Sequence, residues 1–276
     1  MIDTSFSKFY YLSGSLSNGK FIDLDGVENL TLTESTSFTK NYTLGGIDSS
    51  AIINSPYQVE ISFERSFIQN DFLFTFTGAD PISKVNFFNG NKYYELDDLY
   101  LNTYSANFTI GDLPKINTKW TSYGNKFSER DSITQYNSNP IQIVTLNQDI
   151  PKINSISISG DYGNIKDFSN IYAFDYSLNV LRQPYYSVGS LSAKEVCPIL
   201  PLEISMSITS RISSEQKIQK VDALSNELSF SILISGTGGI MDFPIRKVKQ
   251  VSEDITNSSR SVVEIKRNFI GTYGLL

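Results

Sequence analysis

The sequence contains no histidine, a single cysteine and a single tryptophan in 276 residues. Without histidine there can be no Ser-His-Asp or Cys-His catalysis and no His-ligated metal site. A lone cysteine, Cys197, excludes an internal disulfide and a cysteine-cage metal centre. Because these are the commonest catalytic and metal-binding groups, we predict that the protein is not an enzyme and uses no cofactor.

Basic residues and long apolar runs are also scarce. The chain has 23 Lys+Arg against 29 Asp+Glu, which gives a formal net charge of −6 and a pI near 4.8. This balance argues against a protein that grips duplex DNA, because such binding depends on cations that neutralise phosphates. No apolar run approaches the roughly 20 residues that cross a bilayer. We therefore predict no membrane span, and because residue 3 is an acid and no uninterrupted apolar stretch follows it, we also expect no signal peptide in the first residues.

Alternation of apolar and polar residues dominates what is present. Val59, Ile61 and Phe63 alternate with polar neighbours, and so do residues 202–208, 156–158 and 228–234. A period of two puts one set of side chains on a core and the other on water or a partner, which is typical of strands. The sequence thus predicts a mainly β protein.

Two short segments favour helices. Residues 213–224 begin with serines and then place Ile218, Val221 and Leu224 at three-residue spacing, which is typical of a capped amphipathic helix. Residues 95–100 form a second, weaker candidate. We expect one or two short helices packed on the β structure.

An internal repeat is indicated by matched segments 143 residues apart. At this spacing Glu60-Ile61-Ser62-Phe63 falls on Glu203-Ile204-Ser205-Met206, Tyr42 on Tyr185 and Gly46 on Gly189. Further downstream, residues 74–78 parallel 232–236, and residues 132–134 and 141–143 parallel 254–256 and 263–265. Chance alternation in a β-rich chain is the alternative. A duplication would divide the chain into domains 1–148 and 149–276, joined near a polar segment that ends in Pro151.

The repeated segments resemble the long hairpin of bacteriophage tail tube proteins. Residues 30–38, the turn at Gly45-Gly46 and residues 58–65 form one copy; residues 175–180, the turn at Gly189 and residues 202–209 form the other. The resemblance implies two tandem antiparallel β-sandwich domains with long hairpins. It also implies self-assembly into rings that stack into a tube, with three duplicated chains replacing six single domains.

The resemblance, combined with the alternation, predicts which side chains line the tube. With Val59, Ile61 and Phe63 on the core, the lumen would receive Gln58, Glu60, Ser62, Glu64, Glu203, Ser205 and Ser207. Acids and hydroxyls repel phosphate, so DNA would pass without sticking. The expected protein is a virion component of the phage tail, made in the host cytoplasm. Its partners would be copies of itself and possible tape measure, sheath or baseplate proteins.

Three alternatives remain open from the sequence. A baseplate or tube-initiator protein would resemble a tube subunit. A carbohydrate-binding or adhesin sandwich would use exposed tyrosines, namely Tyr93, Tyr94, Tyr185 and Tyr186, to stack on sugars. An enzyme that works with carboxylates alone would use Glu60 and Glu64, which share one face of a strand.

Overall fold

The fold is described from a computed structural model of the chain. It describes residues 2–6, 11–15, 21–23, 27–36, 38–42, 49–54, 56–66, 78, 80–89, 92–124, 128–130, 152–161, 170–213, 227–236, 239–259 and 262–273. These residues form antiparallel strands and their connections, with no helix among them. The prediction of a mainly β protein is confirmed.

Among the described residues, eleven strands precede residue 131. The longest, β9, has 18 residues. The strands are β1 (Ile2–Phe6), β2 (Tyr11–Ser15), β3 (Phe21–Asp23), β4 (Val27–Ser35), β5 (Phe38–Tyr42), β6 (Ser49–Asn54), β7 (Gln58–Arg65), β8 (Ile82–Asn89), β9 (Lys92–Thr109), β10 (Lys115–Tyr123) and β11 (Ser128–Arg130).

Eight strands follow residue 151 in the part of the chain that the structure describes, and the longest, β18, has 21 residues. They are β12 (Ile153–Asp161), β13 (Ile171–Asn179), β14 (Arg182–Tyr186), β15 (Ala193–Pro198), β16 (Leu202–Ser213), β17 (Leu228–Gly236), β18 (Gly239–Ser259) and β19 (Val262–Tyr273). The predicted domain join near Pro151 lies outside the described residues.

The main sheet has the same strand order in the residues before 131, the first half, and in those after 151, the second half. In the first half the neighbours run β4-β7-β10-β9-β8-β2, and in the second they run β13-β16-β19-β18-β17-β12. A separate two-stranded hairpin, β5-β6 or β14-β15, interrupts the chain at the corresponding place in each half. The two halves meet where β9 pairs with β13.

This order shows which strands correspond downstream of the hairpins. β8, β9 and β10 occupy the places in the first half that β17, β18 and β19 occupy in the second. Residues 74–78 were matched to β17, and residues 132–134 and 141–143 to β18 and β19. Residues 74–77, 132–134 and 141–143 lie outside the described residues, so these matches stay predictions. Local alternation looks alike in every strand, whereas the neighbours of a strand in the sheet are set by distant residues.

The long strands β9 and β18 each pair with two different strands in succession. The first part of β9 pairs with β8 and its second part with β10; β18 pairs with β17 and then β19. At each transition one residue adopts a left-handed conformation, Asp98 with φ 49° and Lys247 with φ 54°. A positive φ is uncommon for residues other than glycine. Here it coincides with the point at which each strand changes its partner.

The transition in β9 explains why one predicted helix is wrong. Residues 95–100 lie within β9, yet both Leu96 and Leu99 are buried. The left-handed Asp98 between them breaks the alternation, and so produces a three-residue spacing that resembles a helical one. Of the other candidate, residues 214–224 lie outside the described residues.

A single hydrophobic cluster joins strands of both halves. Phe243 of β18 contacts Phe108, Phe174 and Tyr176 with ring centroids 5.4 Å apart in each pair. β18 shares no ladder with β9 or β13, so these rings meet across the core and not between neighbouring strands of a sheet. Phe243 contacts the two phenylalanines edge to face and Tyr176 at a tilt. The predicted core residues Val59, Ile61 and Phe63 are all buried in this cluster.

Candidate functional site

The candidate site is a polar sheet face opposite the core. It is formed by the outward side chains of β4, β7, β10, the second part of β9, β13, β16, β19 and the second part of β18, and we call it the polar face. In β7 the burial alternates strictly, with Gln58, Glu60, Ser62 and Glu64 partly exposed between buried neighbours. All four predicted residues of this strand therefore lie on the polar face.

The predicted residues of β16 lie on the same side of the sheet. Glu203 and Ser205 are exposed, while Ser207 is only 7% exposed. Its hydroxyl donates a hydrogen bond to Asp175 Oδ2 at 2.7 Å, so neighbouring side chains cover it. β7 and β16 are separated in the sheet by β10, β9 and β13, which bring further residues to the face.

Lysines of β10 neutralise the carboxylates of β7. Lys119 Nζ lies 2.8 Å from Glu60 Oε2, and Lys115 Nζ lies 3.8 Å from Glu64 Oε1. Sequence reasoning missed these lysines because it considered β7 and β16 without their neighbours. The alternation Lys115-Asn117-Lys119 was the available signal. The paired glutamates have the wrong setting for a pair of free catalytic carboxylates.

The second half has its own ion pairs on the polar face. Lys266 Nζ lies 3.9 Å from Asp175 Oδ2, and Arg211 Nε donates to Glu264 Oε1 at 2.8 Å. Exposed pairs of this kind contribute little to stability. Their effect is local, because each removes a free charge from the face. The polar face therefore combines hydroxyls, amides and paired charges.

The junction between the halves also lies on this face. β9 and β13 pair over seven residues from Thr103 to Thr109. Asn107 stands opposite Asp175, and its Nδ2 donates to Oδ1 at 2.8 Å. A hydrogen bond to a carboxylate is stronger than one between neutral groups. The side-chain pair thus stabilises this register of the backbone ladder relative to shifted registers.

The β14-β15 hairpin of the second half docks on the first half through Arg182. Its Nε donates to the carbonyl of Leu101 and its Nη1 to the carbonyl of Gly78, both at 2.7 Å. The guanidinium also lies 5.3 Å from the ring centroid of Tyr100. Burial lowers the pKa of Arg182 to about 10. The carbonyl bonds and the ring offset part of the cost of burying this cation.

Gly189 is the one predicted hairpin-turn glycine that lies within the described residues. Gly189 lies between β14 and β15 with φ +81°, a conformation that glycine adopts without strain. Ser192 of the same turn donates to the carbonyl of Gly124, at the end of β10. Gly45 and Gly46 lie outside the described residues.

The tyrosines of the carbohydrate alternative do not form one exposed platform. Tyr94 is 6% exposed and belongs to the core, whereas Tyr185 is 55% exposed. Burial raises the pKa of Tyr186. The side chain of Tyr93 lies outside the described residues. Stacking on a sugar needs exposed rings side by side, and this set does not supply them.

Comparisons with known proteins add no family. No protein-family model matches the sequence, and no curated protein matches it significantly. In the part of the chain that the structure describes, no helix could cross a membrane and no His, Cys, Asp and Glu side chains are grouped to hold a metal ion.

Proposed function

We propose that the chain is a structural subunit of a bacteriophage tail tube, built from two copies of one β-sandwich domain. The observation that carries the proposal is the repeated strand order, β4-β7-β10-β9-β8-β2 and β13-β16-β19-β18-β17-β12. A chain that joins two like units edge to edge contains one complete contact of a larger ring. A head-to-tail contact of this type generates a ring when the rotation closes.

The polar face is proposed as the wall of the tube lumen. Among the described residues of the polar face, Lys115, Lys119, Lys266 and Arg211 are held in ion pairs, while Lys249 is exposed opposite Ile270. Phosphate would therefore meet mainly carboxylates, hydroxyls, amides and paired cations on this face. DNA affinity depends on cations that can release counterions from the duplex. A wall with paired charges lets DNA move past with little retention.

The test is electron microscopy of the purified protein over a range of concentrations and ionic strengths. We expect rings or stacked tubes with a central channel. Discrete single chains under every condition would contradict the proposal. For the wall, the double substitution E60K/E64K on assembled tubes should produce salt-dependent DNA retention, whereas E227K, outside the polar face, should not. Equal retention by both variants would refute the assignment of the face.

A further inference from the structure

The internal junction is a template for a contact that the single chain leaves incomplete. In that junction the second part of β9 pairs with β13 on one edge and with β10 on the other. The corresponding strand of the second half is β18, and its residues 249–257 pair only with β19 among the described residues. Among the described residues this edge therefore has no partner strand, whereas its counterpart on β9 is occupied by β13; we call it the open edge.

The registers identify the residues that correspond to the junction pair. Asn107 stands opposite Lys115, which lies two residues before Asn117; Asp254 stands opposite Lys266, two residues before Asn268. On the other side, Asp175 stands opposite Ser207, while Asn29 of β4 stands opposite Glu64. Glu64 and Ser207 are 143 residues apart, the spacing of the repeat.

The amide and the carboxylate have exchanged places between the two halves. The internal junction pairs Asn107 with Asp175; the corresponding open positions carry Asp254 and Asn29, both exposed. Either arrangement allows one amide donor to face one carboxylate acceptor. The exchange preserves the hydrogen bond that a contact between β18 and β4 would make.

From this complementarity we propose that the open edge of β18 pairs with β4 of a second copy of this chain, with Asp254 opposite Asn29 and Ser252 opposite Thr31. Val251 and Ile255, 48% and 47% exposed, would lie within this contact. The inference rests on the proposed function, since repetition of this contact is what closes the ring. An open strand edge otherwise invites unspecific pairing.

The proposal gives a role to β1. This strand pairs with β4 from Leu30 to Glu34, on the edge opposite β7. β18 of the second copy needs that edge, so β1 must leave it when the copies join. In the single chain β1 is thus an edge cover, and its removal from β4 is a step of assembly. Pairing between chains replaces one backbone ladder by another.

A disulfide scan tests the register. In a C197S background, N29C and D254C in one chain should yield a ladder of disulfide-linked multimers on non-reducing gels after mild oxidation, because directly opposed Cβ atoms lie about 5 Å apart. Each single variant should give no more than dimers. The matched control N29C/D242C, whose second cysteine is on the part of β18 that pairs with β17, should give no ladder.

Three further variants keep the test decisive if the cysteines impair folding. N29D should reduce assembly by placing two carboxylates opposite each other, and N29D/D254N should restore it. Deletion of residues 2–6 should accelerate assembly. Rings or tubes without the 29–254 ladder and without rescue would overturn this inference and leave the tube function intact. Linked chains that form neither rings nor tubes would support the contact and overturn the tube function.

Discussion

The two halves share a strand order but fill the same core positions with different side chains. Opposite Ile61 of β7 stands Trp120, and opposite the corresponding Ile204 of β16 stands Gly271. Trp120 is buried and stacks on Phe63 with a centroid distance of 6.4 Å. A Cβ added at Gly271 would lie 2.9 Å from the carbonyl oxygen of Lys247. One half fills this layer with an indole, the other with the backbone of β18.

A buried arginine shows the same principle in a different layer. Arg65 of β7 stands opposite Ile116 in the first half, whereas Ile208 stands opposite Arg267 of β19 in the second. Both arginines are fully buried. The guanidinium thus lies in the same layer of both halves, but on neighbouring strands. The difference teaches that a β framework can keep its strand order when volume and charge within a layer are redistributed.

The substitution Trp120→Ala should have the largest effect on stability. It leaves a cavity beside Phe63, and large-to-small changes of buried Trp cost about 3–5 kcal/mol. Urea denaturation of the single chain measures the change. In the second half, Gly271→Ala should cost about 1–3 kcal/mol by overpacking against β18. A loss below about 1 kcal/mol for Trp120→Ala would contradict the proposed difference in filling.

The substitution Glu253→Gln should come next, with a cost of about 3 kcal/mol. Glu253 Oε2 accepts from Arg267 Nε at 3.1 Å, and the guanidinium is fully buried. Loss of the partner charge leaves a buried cation less well compensated. In the first half the position of Glu253 is taken by Ala106, opposite Ile116. Glu203→Gln, at an exposed carboxylate, is the control and should change the unfolding free energy by less than about 0.5 kcal/mol.

The smallest expected effect is on the pH dependence of the unfolding free energy, through Tyr57 of the first half. Burial, together with a hydrogen bond and repulsion from Glu34, raises the pKa of Tyr57 to about 12. The folded state therefore holds this proton more tightly than the unfolded state, and the stabilisation is present below pH 10 and lost between pH 10 and about 12. Tyr57→Phe should make the fall in unfolding free energy over that range shallower.

The second half provides the control for this pH effect. The corresponding residues there, Leu200 and Val180, carry no ionisable group, so Leu200→Ala should leave the alkaline slope unchanged. Burial also raises the pKa of Tyr100, Tyr123 and Tyr186, so part of the slope should persist in Tyr57→Phe. An identical slope in wild type and Tyr57→Phe would show that Tyr57 contributes nothing.

The sequence predicted the parts of the fold that depend on local pattern. Alternation located β7 and β16 and assigned Val59, Ile61 and Phe63 to the core. The 143-residue spacing brought β5 and β14 to within two residues of their observed correspondence. The prediction from local pattern failed at Asp98, where one left-handed residue produced a helix-like spacing of apolar residues. Of the candidate site, it found the acids of β7 and missed the lysines of β10.

The sequence by itself determined that this chain forms strands with one apolar and one polar side, because a period of two is a property of neighbouring residues. Only the tertiary structure decided which strands lie side by side. It brought Lys119 to Glu60, Asn107 to Asp175 and Arg267 to Glu253. These pairs join residues separated in the chain by at least 14 positions, and their meeting depends on the packing of the whole sheet.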